Sequence, residues 1–359
     1  MSLDKVVGVD AIGGDSIEGR TVAQRAVQAT IEITQKYPGF TFFLYGKPEE
    51  LSKALPKGLQ NIRIEDASFN PENPDAEISP KYGAIKRLAI DLKNGVIAGV
   101  YTSGETEKVI PVIRKEVGML EEFGKVFYGE RIPPLIVELP KYPEAELTES
   151  WFLLDAGSIP ELTRINQYLV YAHIARIFAR EVKGREMPTV GLLNIGRESN
   201  KGTTLLRDVY SVLNKEPGLY FVGNVEPFIA MNDHEKGGTE DIPVDIVVCD
   251  GYAGNILIKA LSTGANLPRE QLKYEIKHGS WLEKLGAFFL RNAFKRVKNI
   301  SDPNTYNGAL FIGLNKPVVK GHGTANERGF KEGIEKVIKC IENNVTTQIQ
   351  NAFASHANV

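Results

Sequence analysis

Short β-rich apolar runs alternate with helical stretches along nearly all 359 residues, and that alternation limits the folds open to this chain. Strands are expected at 6–9, 41–45, 62–64, 96–101, 135–139, 152–154, 190–194, 220–222, 246–249 and 309–314, and helices at 21–36, 82–93, 166–181, 204–214 and 329–348. A chain that runs strand, helix, strand makes a largely parallel sheet with helices on its faces. Runs such as Val6-Val7-Gly8-Val9 and Ile246-Val247-Val248-Cys249 are continuously apolar, as burial on both faces requires. The expected fold class is therefore α/β, with helices covering both faces of a mainly parallel sheet. No repeat or clean linker divides the chain, so one domain over 1–359 is expected. The prolines at 133, 134, 140 and 143 leave room for two lobes sharing one sheet.

Composition removes several classes of function. Charged residues make up 25% and net charge is −2, so no global basic field points to nucleic acid. Two cysteines, Cys249 and Cys340, cannot make a disulfide framework, and both read as inert core thiols of a reducing, cytoplasmic protein. The first apolar run is a short strand rather than a signal peptide, and no window approaches a membrane span of about 18 apolar residues. The GxGxxG fingerprint, the P-loop and the GxSxG elbow are all missing, so a conventional NAD or ATP site is set aside and no cofactor is expected. His173, His234, His278, His322 and His356 lack ligand spacing, so no metal is expected, and His173 reads as structural.

Chemistry should reside in the polar, glycine-bearing turns that end the apolar strands, where open α/β sheets bind ligands. In the stretch 190–202, Asn194-Ile195-Gly196 is followed by Arg197, Glu198 and Lys201-Gly202. Lys201 is a mobile point charge suited to an anion. Asp10-Ala11-Ile12-Gly13-Gly14-Asp15 offers backbone N–H groups, although its two aspartates oppose a simple phosphate nest and suit orienting a lysine or capping a helix. Ser103, Gly104 and Thr106 can hold an anion or cap a helix, with Glu105 and Glu107 opposing the anion. Asp155 to Ser158, Gly223-Asn224 and Asp250-Gly251 to Gly254-Asn255 repeat the strand-then-polar form. His322, between Gly321 and Gly323, has a titration range suited to acid–base work.

The stretch 256–300 breaks the alternation and is helical throughout. Trp281, Leu285, Phe288 and Phe289 share an apolar face, and five basic residues with no acid lie from Lys284 to Ile300. Such a helix can lie on an anionic membrane, dock an acidic protein or serve as a dimerisation helix.

In order and spacing these loops resemble the phosphate acyltransferase (PlsX) family over nearly the whole chain. The likeness is strongest at Gly191 to Gly196, Glu198, Lys201-Gly202, Phe221 to Glu226, Val247 to Gly251, Gly254-Asn255 and Gly313 to Asn315. The resemblance implies a three-layer α/β/α sandwich related to isocitrate and isopropylmalate dehydrogenases, usually dimeric. It also implies transfer of an acyl group from acyl carrier protein to inorganic phosphate, feeding phospholipid synthesis, by a protein that is soluble or loosely attached to the membrane.

On that reading Lys201 holds phosphate, Asn224 or Asn255 and the glycine-loop amides stabilise the oxyanion, His322 adjusts phosphate protonation, and Asp250 and Asp10 orient donors. Substrate contacts are then expected from Asp10, Gly13, Gly14, Ser103, Gly104, Thr106, Asn194, Glu198, Gly223, Asn224, Gly251 and Gly254, with all the turns along one edge of the sheet. The chain departs from the family at Gly104-Glu105-Thr106-Glu107, where Gly-Asn-Thr-Gly is usual, and at Ser158-Ile159, where Ala-Asn is usual. A paralogue acting on acetyl or another short acyl thioester, and a binding protein without catalysis, therefore stand beside the long-chain enzyme.

Overall fold

The computed structural model describes residues 5–67, 79–128, 132–140, 150–227, 244–300 and 302–356. Pro143 and His234 lie outside them. Among the described residues one sheet of 11 strands forms, in the order β3-β2-β1-β4-β11-β10-β5-β6-β9-β7-β8. The strands are β1 (Val6–Asp10), β2 (Thr41–Gly46), β3 (Ile62–Asp66), β4 (Gly99–Thr102), β5 (Leu135–Pro140), β6 (Ser150–Leu154), β7 (Thr189–Leu193), β8 (Tyr220–Val225), β9 (Ile246–Val248), β10 (Ala309–Phe311) and β11 (Val318–Lys320). The expected mainly parallel sheet is present. Three pairings depart from it: β11 with β10, β10 with β5, and β5 with β6 are antiparallel.

Successive strand residues face opposite sides, as the two-residue period of a strand demands. Val7, Val9, Phe42, Leu44, Phe152, Leu154, Val190 and Leu192 join one core with α1 (Val22–Lys36), α6 (Ile165–Lys183), α7 (Thr204–Leu213), α11 (Glu327–Glu342) and α12 (Val345–His356). On the other face Val6, Phe43, Tyr45 and Val100 pack against α3 (Pro80–Lys93) and α4 (Thr106–Val117). Trp151, Leu153 and Val247 pack there against the start of α8 (Gly251–His278). These are the three layers of an α/β/α sandwich.

Several elements differ from the sequence expectation. The helix expected over 329–348 is two helices, because Asn344 adopts φ 50° between α11 and α12, a conformation asparagine tolerates better than most residues. The short α2 (Pro48–Ala54) and α5 (Glu121–Phe127), as well as β11, carry too few residues to show a period. The stretch after β9 is helical as expected, forming α8, α9 (Trp281–Phe289) and α10 (Arg291–Ile300). The 28 residues of α8 extend about 42 Å, and among them only Gly251, Gly254 and Leu257 are buried.

Where strand direction reverses, a buried ion pair joins the layers. Lys336 on α11 contacts Glu138 on β5 at 2.9 Å and donates to the carbonyls of Tyr306, Asn307 and Gly308 at 2.8–3.1 Å. Lys183, at the end of α6, and Ser150 Oγ bind the other carboxylate oxygen of Glu138. Burial alone would raise the Glu138 carboxyl, but Lys336 and then Lys183 hold it down, from 4.5 to about 2. A depressed carboxylate contributes stability that is complete above its unfolded pKa and is lost as pH falls through the folded one. Urea unfolding should therefore show Glu138-dependent stability decline between pH 4.5 and about 2. Glu138→Ala should cost about 3–5 kcal/mol at neutral pH, because it strands Lys336 without a counter-charge.

Candidate active site

At the end of β1 the carboxylate of Asp10 is buried and accepts the N–H groups of Ile12 (3.1 Å) and Gly13 (2.8 Å). The Thr102 hydroxyl, at the end of neighbouring β4, donates to the same carboxylate at 2.7 Å, and Gly104 N donates to that hydroxyl at 3.0 Å. Asp10 thus shapes two loops at once. Burial pushes its carboxyl above the ordinary value, against the lowering from Thr102 and the two amides. Gly13 is required here, since a Cβ would sit 2.2 Å from Asp10 Oδ2 and 2.9 Å from the backbone of Gly104. Ser103 Oγ donates to Gly13 O at 2.6 Å, Lys81 Nζ donates to Gly14 O at 2.8 Å, and Asp15 N donates to Gly323 O at 2.9 Å.

These contacts enclose a small cavity lined by Asp10, Gly13, Gly14, Lys81, Ile85, Gly104, Glu105, Lys108 and Val109. It lies at a topological switch point, because β1 leads to α1 on one face and β4 leads to α4 on the other. Crevices of this kind are where open α/β sheets bind ligands. The first turn of α4, beginning at Thr106, points its amides at the same place, and its N-cap residue Glu105 makes no side-chain cap. Glu105 pairs with Lys108 at 2.7 Å, which offsets its charge and lowers its carboxyl. Glu107 faces a neighbouring groove with Tyr82, Lys86 and Lys115. Glu107 is therefore turned away from the cradle, whereas Glu105 stays in its wall, paired with Lys108.

His322 lies on the loop after β11, next to Gly323, whose carbonyl accepts the Asp15 N–H. Its backbone N–H donates to Asn307 Oδ1, and its Nδ1 lies 2.8 Å from the Thr324 hydroxyl and accepts the Thr324 N–H at 3.3 Å. That arrangement places the ring proton on Nε2, which then donates rather than accepts. Burial and the nearby Lys320 lower its pKa, so the ring is neutral at pH 7. Lys320 is itself largely buried, which lowers its pKa, and it donates to Gly321 O at 2.8 Å.

Lys201, Asn194, Glu198, Gly223 and Asn224 form a second group beyond β7 and β8. Asn194 Nδ2 donates to Lys201 O (3.2 Å) and to Asn224 Oδ1 (3.1 Å), and Asn224 Nδ2 donates to Glu198 O at 2.8 Å. These two buried amides hold the loop 195–202 in shape, and Asn224 points its donor at a loop carbonyl. Lys201 is half exposed and lies 3.9 Å from Glu198. The third group follows β6 and β9. Asp155 accepts the N–H groups of Leu135, Gly157, Ser158 and Ile159. Asp250 caps α8 by accepting from Ala253 N at 2.8 Å, and Gly251 N donates to Ile159 O at 2.7 Å. Asn255 lies over Gly157, whose Cβ would approach it to 3.0 Å.

The expectation that all turns share one edge requires correction. Three antiparallel pairings separate β4 from β6, an odd number, so β1, β4 and β11 end at one edge while β6, β9, β7 and β8 end at the other. Five ladder steps separate β4 from β9 and six separate it from β7, roughly 24 and 29 Å along the sheet. Within one chain the structure gathers Asp10, Gly13, Gly14, Ser103, Gly104, Thr106 and His322 on one edge. Lys201, Asn194, Glu198, Gly223, Asn224, Asp250, Gly251, Gly254 and Asn255 lie on the other.

The family model described as "Fatty acid synthesis protein" matches residues 5–348. The chain belongs to this family. Among the curated relatives of this chain, one named phosphate acyltransferase from Brevibacillus brevis is 31% identical over 354 residues, covering 97% of each chain. Another of that name, from Streptococcus uberis, is 29% identical and covers 98% of each. In fold the chain is similar to a branched-chain phosphotransacylase from Enterococcus faecalis (TM-score 0.56, 14% identity, 94% of this chain and 99% of that one). It is also similar to a phosphotransacetylase from Streptococcus pyogenes (TM-score 0.55, 16% identity, 94% of both).

Sequence reading gave no role to Lys81, Lys108 or Lys320. The first two sit near helix starts among many other lysines, and only the pairing of β1 with β4 brings them to the glycine loops. Gly254 shows how tightly the opposite edge is packed, since a Cβ there would lie 1.8 Å from Asp155 O, a backbone atom that cannot yield. Gly254→Ala should destabilise the fold by about 1–3 kcal/mol, read as a lower urea midpoint with unchanged m-value.

Proposed function

We propose that this protein transfers an acyl group from acyl carrier protein to inorganic phosphate, giving acyl phosphate for phospholipid synthesis. The supporting observation is the crevice between β1 and β4, where Lys81, Lys108, the Gly13-Gly14 turn and the N-terminus of α4 line a volume suited to a small anion. Phosphate lies there, held by Lys81 and Lys108 with the amide of Gly14 and the first-turn amides of α4. His322 Nε2–H donates to a phosphate oxygen and keeps its protonation state suited to attack. A phosphate oxygen forms the new C–O bond to the thioester carbonyl, the C–S bond breaks, and the departing thiolate takes up the proton that phosphate releases. Asp10 positions the loops through Thr102 and does not react.

The groups around Lys201 and Asn255 serve the same reaction only if a second copy supplies them, because one chain holds them at opposite sheet edges. The enzyme is accordingly read as a homodimer in which Lys201 and Asn255 of one copy face the phosphate crevice of the other. The exposed apolar and basic surface of α9 and α10 fits an acidic carrier or an anionic lipid surface. Trp281 is 71% and Phe289 74% exposed there, and Arg291 stacks over Phe288. Among the described residues no helix is long and apolar enough to cross a membrane, so any contact of these helices with lipid is peripheral.

Two measurements test this reading. Lys81→Ala should raise the KM for phosphate about 10- to 100-fold, the loss of one charge-assisted hydrogen bond. An unchanged phosphate KM would move the anion out of this crevice. Asp10→Asn and Lys201→Ala should each be inactive alone, whereas their co-expression should restore about a quarter of wild-type turnover through mixed dimers. No recovery would place the two groups in separate functions.

A further inference from the structure

Far along the chain from one another, His173 in α6, Glu216 just beyond α7 and His356 at the end of α12 meet on one face of the sheet. His173 Nε2 lies 2.9 Å from Glu216 Oε1, and His356 Nε2 lies 3.6 Å from the same oxygen. All three ligand atoms fall within 4.8 Å of one another, and the two imidazoles are stacked at 4.4 Å. The groups are nearly enclosed, with side-chain exposures of 9%, 19% and 15%. None of them takes part in the acyl transfer derived above.

We propose that His173, Glu216 and His356 form a binding site for a divalent transition-metal ion, with Zn²⁺ the best-suited ion, which clasps the C-terminal helix to the body of the fold. Two imidazoles and a carboxylate are a donor set that zinc accepts, with water in the fourth position. Tetrahedral ligands at zinc distances lie about 3.3 Å apart, and the observed 2.9 and 3.6 Å bracket that separation. His356 Nδ1 lies 2.8 Å from Ala352 O, and donating to this carbonyl leaves the Nε2 lone pair directed at Glu216. Metal-bound histidines are oriented by such a second hydrogen bond from the other ring nitrogen. His173 Nε2, now 2.9 Å from Glu216 Oε1, has a lone pair to offer the ion once the ring carries its proton on Nδ1. The two rings lie 27° apart in plane and must rotate about χ2 to converge. Arg176, one turn along α6, is the opposing influence: its positive charge acts on His173 and limits affinity for a cation. Sequence spacing hid this constellation because each ligand comes from a different element.

The test uses the untagged full-length chain, stripped with chelator and titrated with Zn²⁺ by calorimetry, with Co²⁺ as a spectroscopic probe. One equivalent should bind and raise Tm, since a ligand that prefers the folded state stabilises it. His356→Gln and Glu216→Gln should each weaken Zn²⁺ binding by more than about tenfold and abolish the Tm rise. His278→Gln, at an exposed histidine elsewhere, should retain both. The proposal is overturned if no saturable single equivalent binds, or if either Gln variant binds as the wild type does.

Discussion

The buried contact between Glu138 and Lys336 sits where the sheet changes direction, and the two halves of the molecule meet around it. Lys336 comes from α11, which packs beside β4 and α1, while Glu138 lies on β5 and is also held by Lys183 of α6. The same ammonium binds three carbonyls just before β10, so the antiparallel strands, the long helices and the chain entering the seam share one charge. A buried pair of this kind need not exceed the stability of an apolar replacement. Its physical contribution here is to fix how the two runs of parallel strands join. Every loop position downstream depends on that join.

Each half of the sheet ends in its own group of polar loops, and the half with β1 and β4 holds a small crevice at a topological switch point. Beside β1 and β4, a buried carboxylate organises two glycine loops around a small space that Lys81 and Lys108 also line. Beside β6, β9 and β7, buried carboxylate and amide side chains face inward on loop N–H and carbonyl groups. One edge carries a small cavity lined by two lysines, and the other presents loops with Lys201 and Asn255. A family of phosphate acyltransferases needs both a small anion and a large thioester. Two spatially separate platforms suit two substrates of such different size.

Much of the candidate chemistry was legible before any coordinates. Asp10, Gly13, Gly14, Ser103 and Gly104 announce themselves as polar and glycine residues at strand ends, and they do meet beside one small cavity. Asn194 and Asn224 were equally visible, but an amide that binds substrate and one that ties down a loop look alike in a sequence. The pairing of Glu105 with Lys108 was not legible as such, because one helical turn brings together two charges that a sequence shows only as neighbours in a loop. Lys81 and Lys108 stayed hidden among 43 basic residues, since nothing local distinguishes a lysine beside a crevice from one in solvent.

By itself the sequence determined the class of fold, through continuously apolar strands separated by helical periods, and the helical character of the stretch after β9. It also determined which turns carry polar and glycine residues, because those turns are local and their chemistry is written in consecutive positions. Tertiary structure alone decided strand order, the three antiparallel pairings and hence which turns share an edge. It alone brought His173, Glu216 and His356 together. Such pairings join residues tens to hundreds of positions apart through hydrogen bonds and packing that leave no periodic trace in the chain.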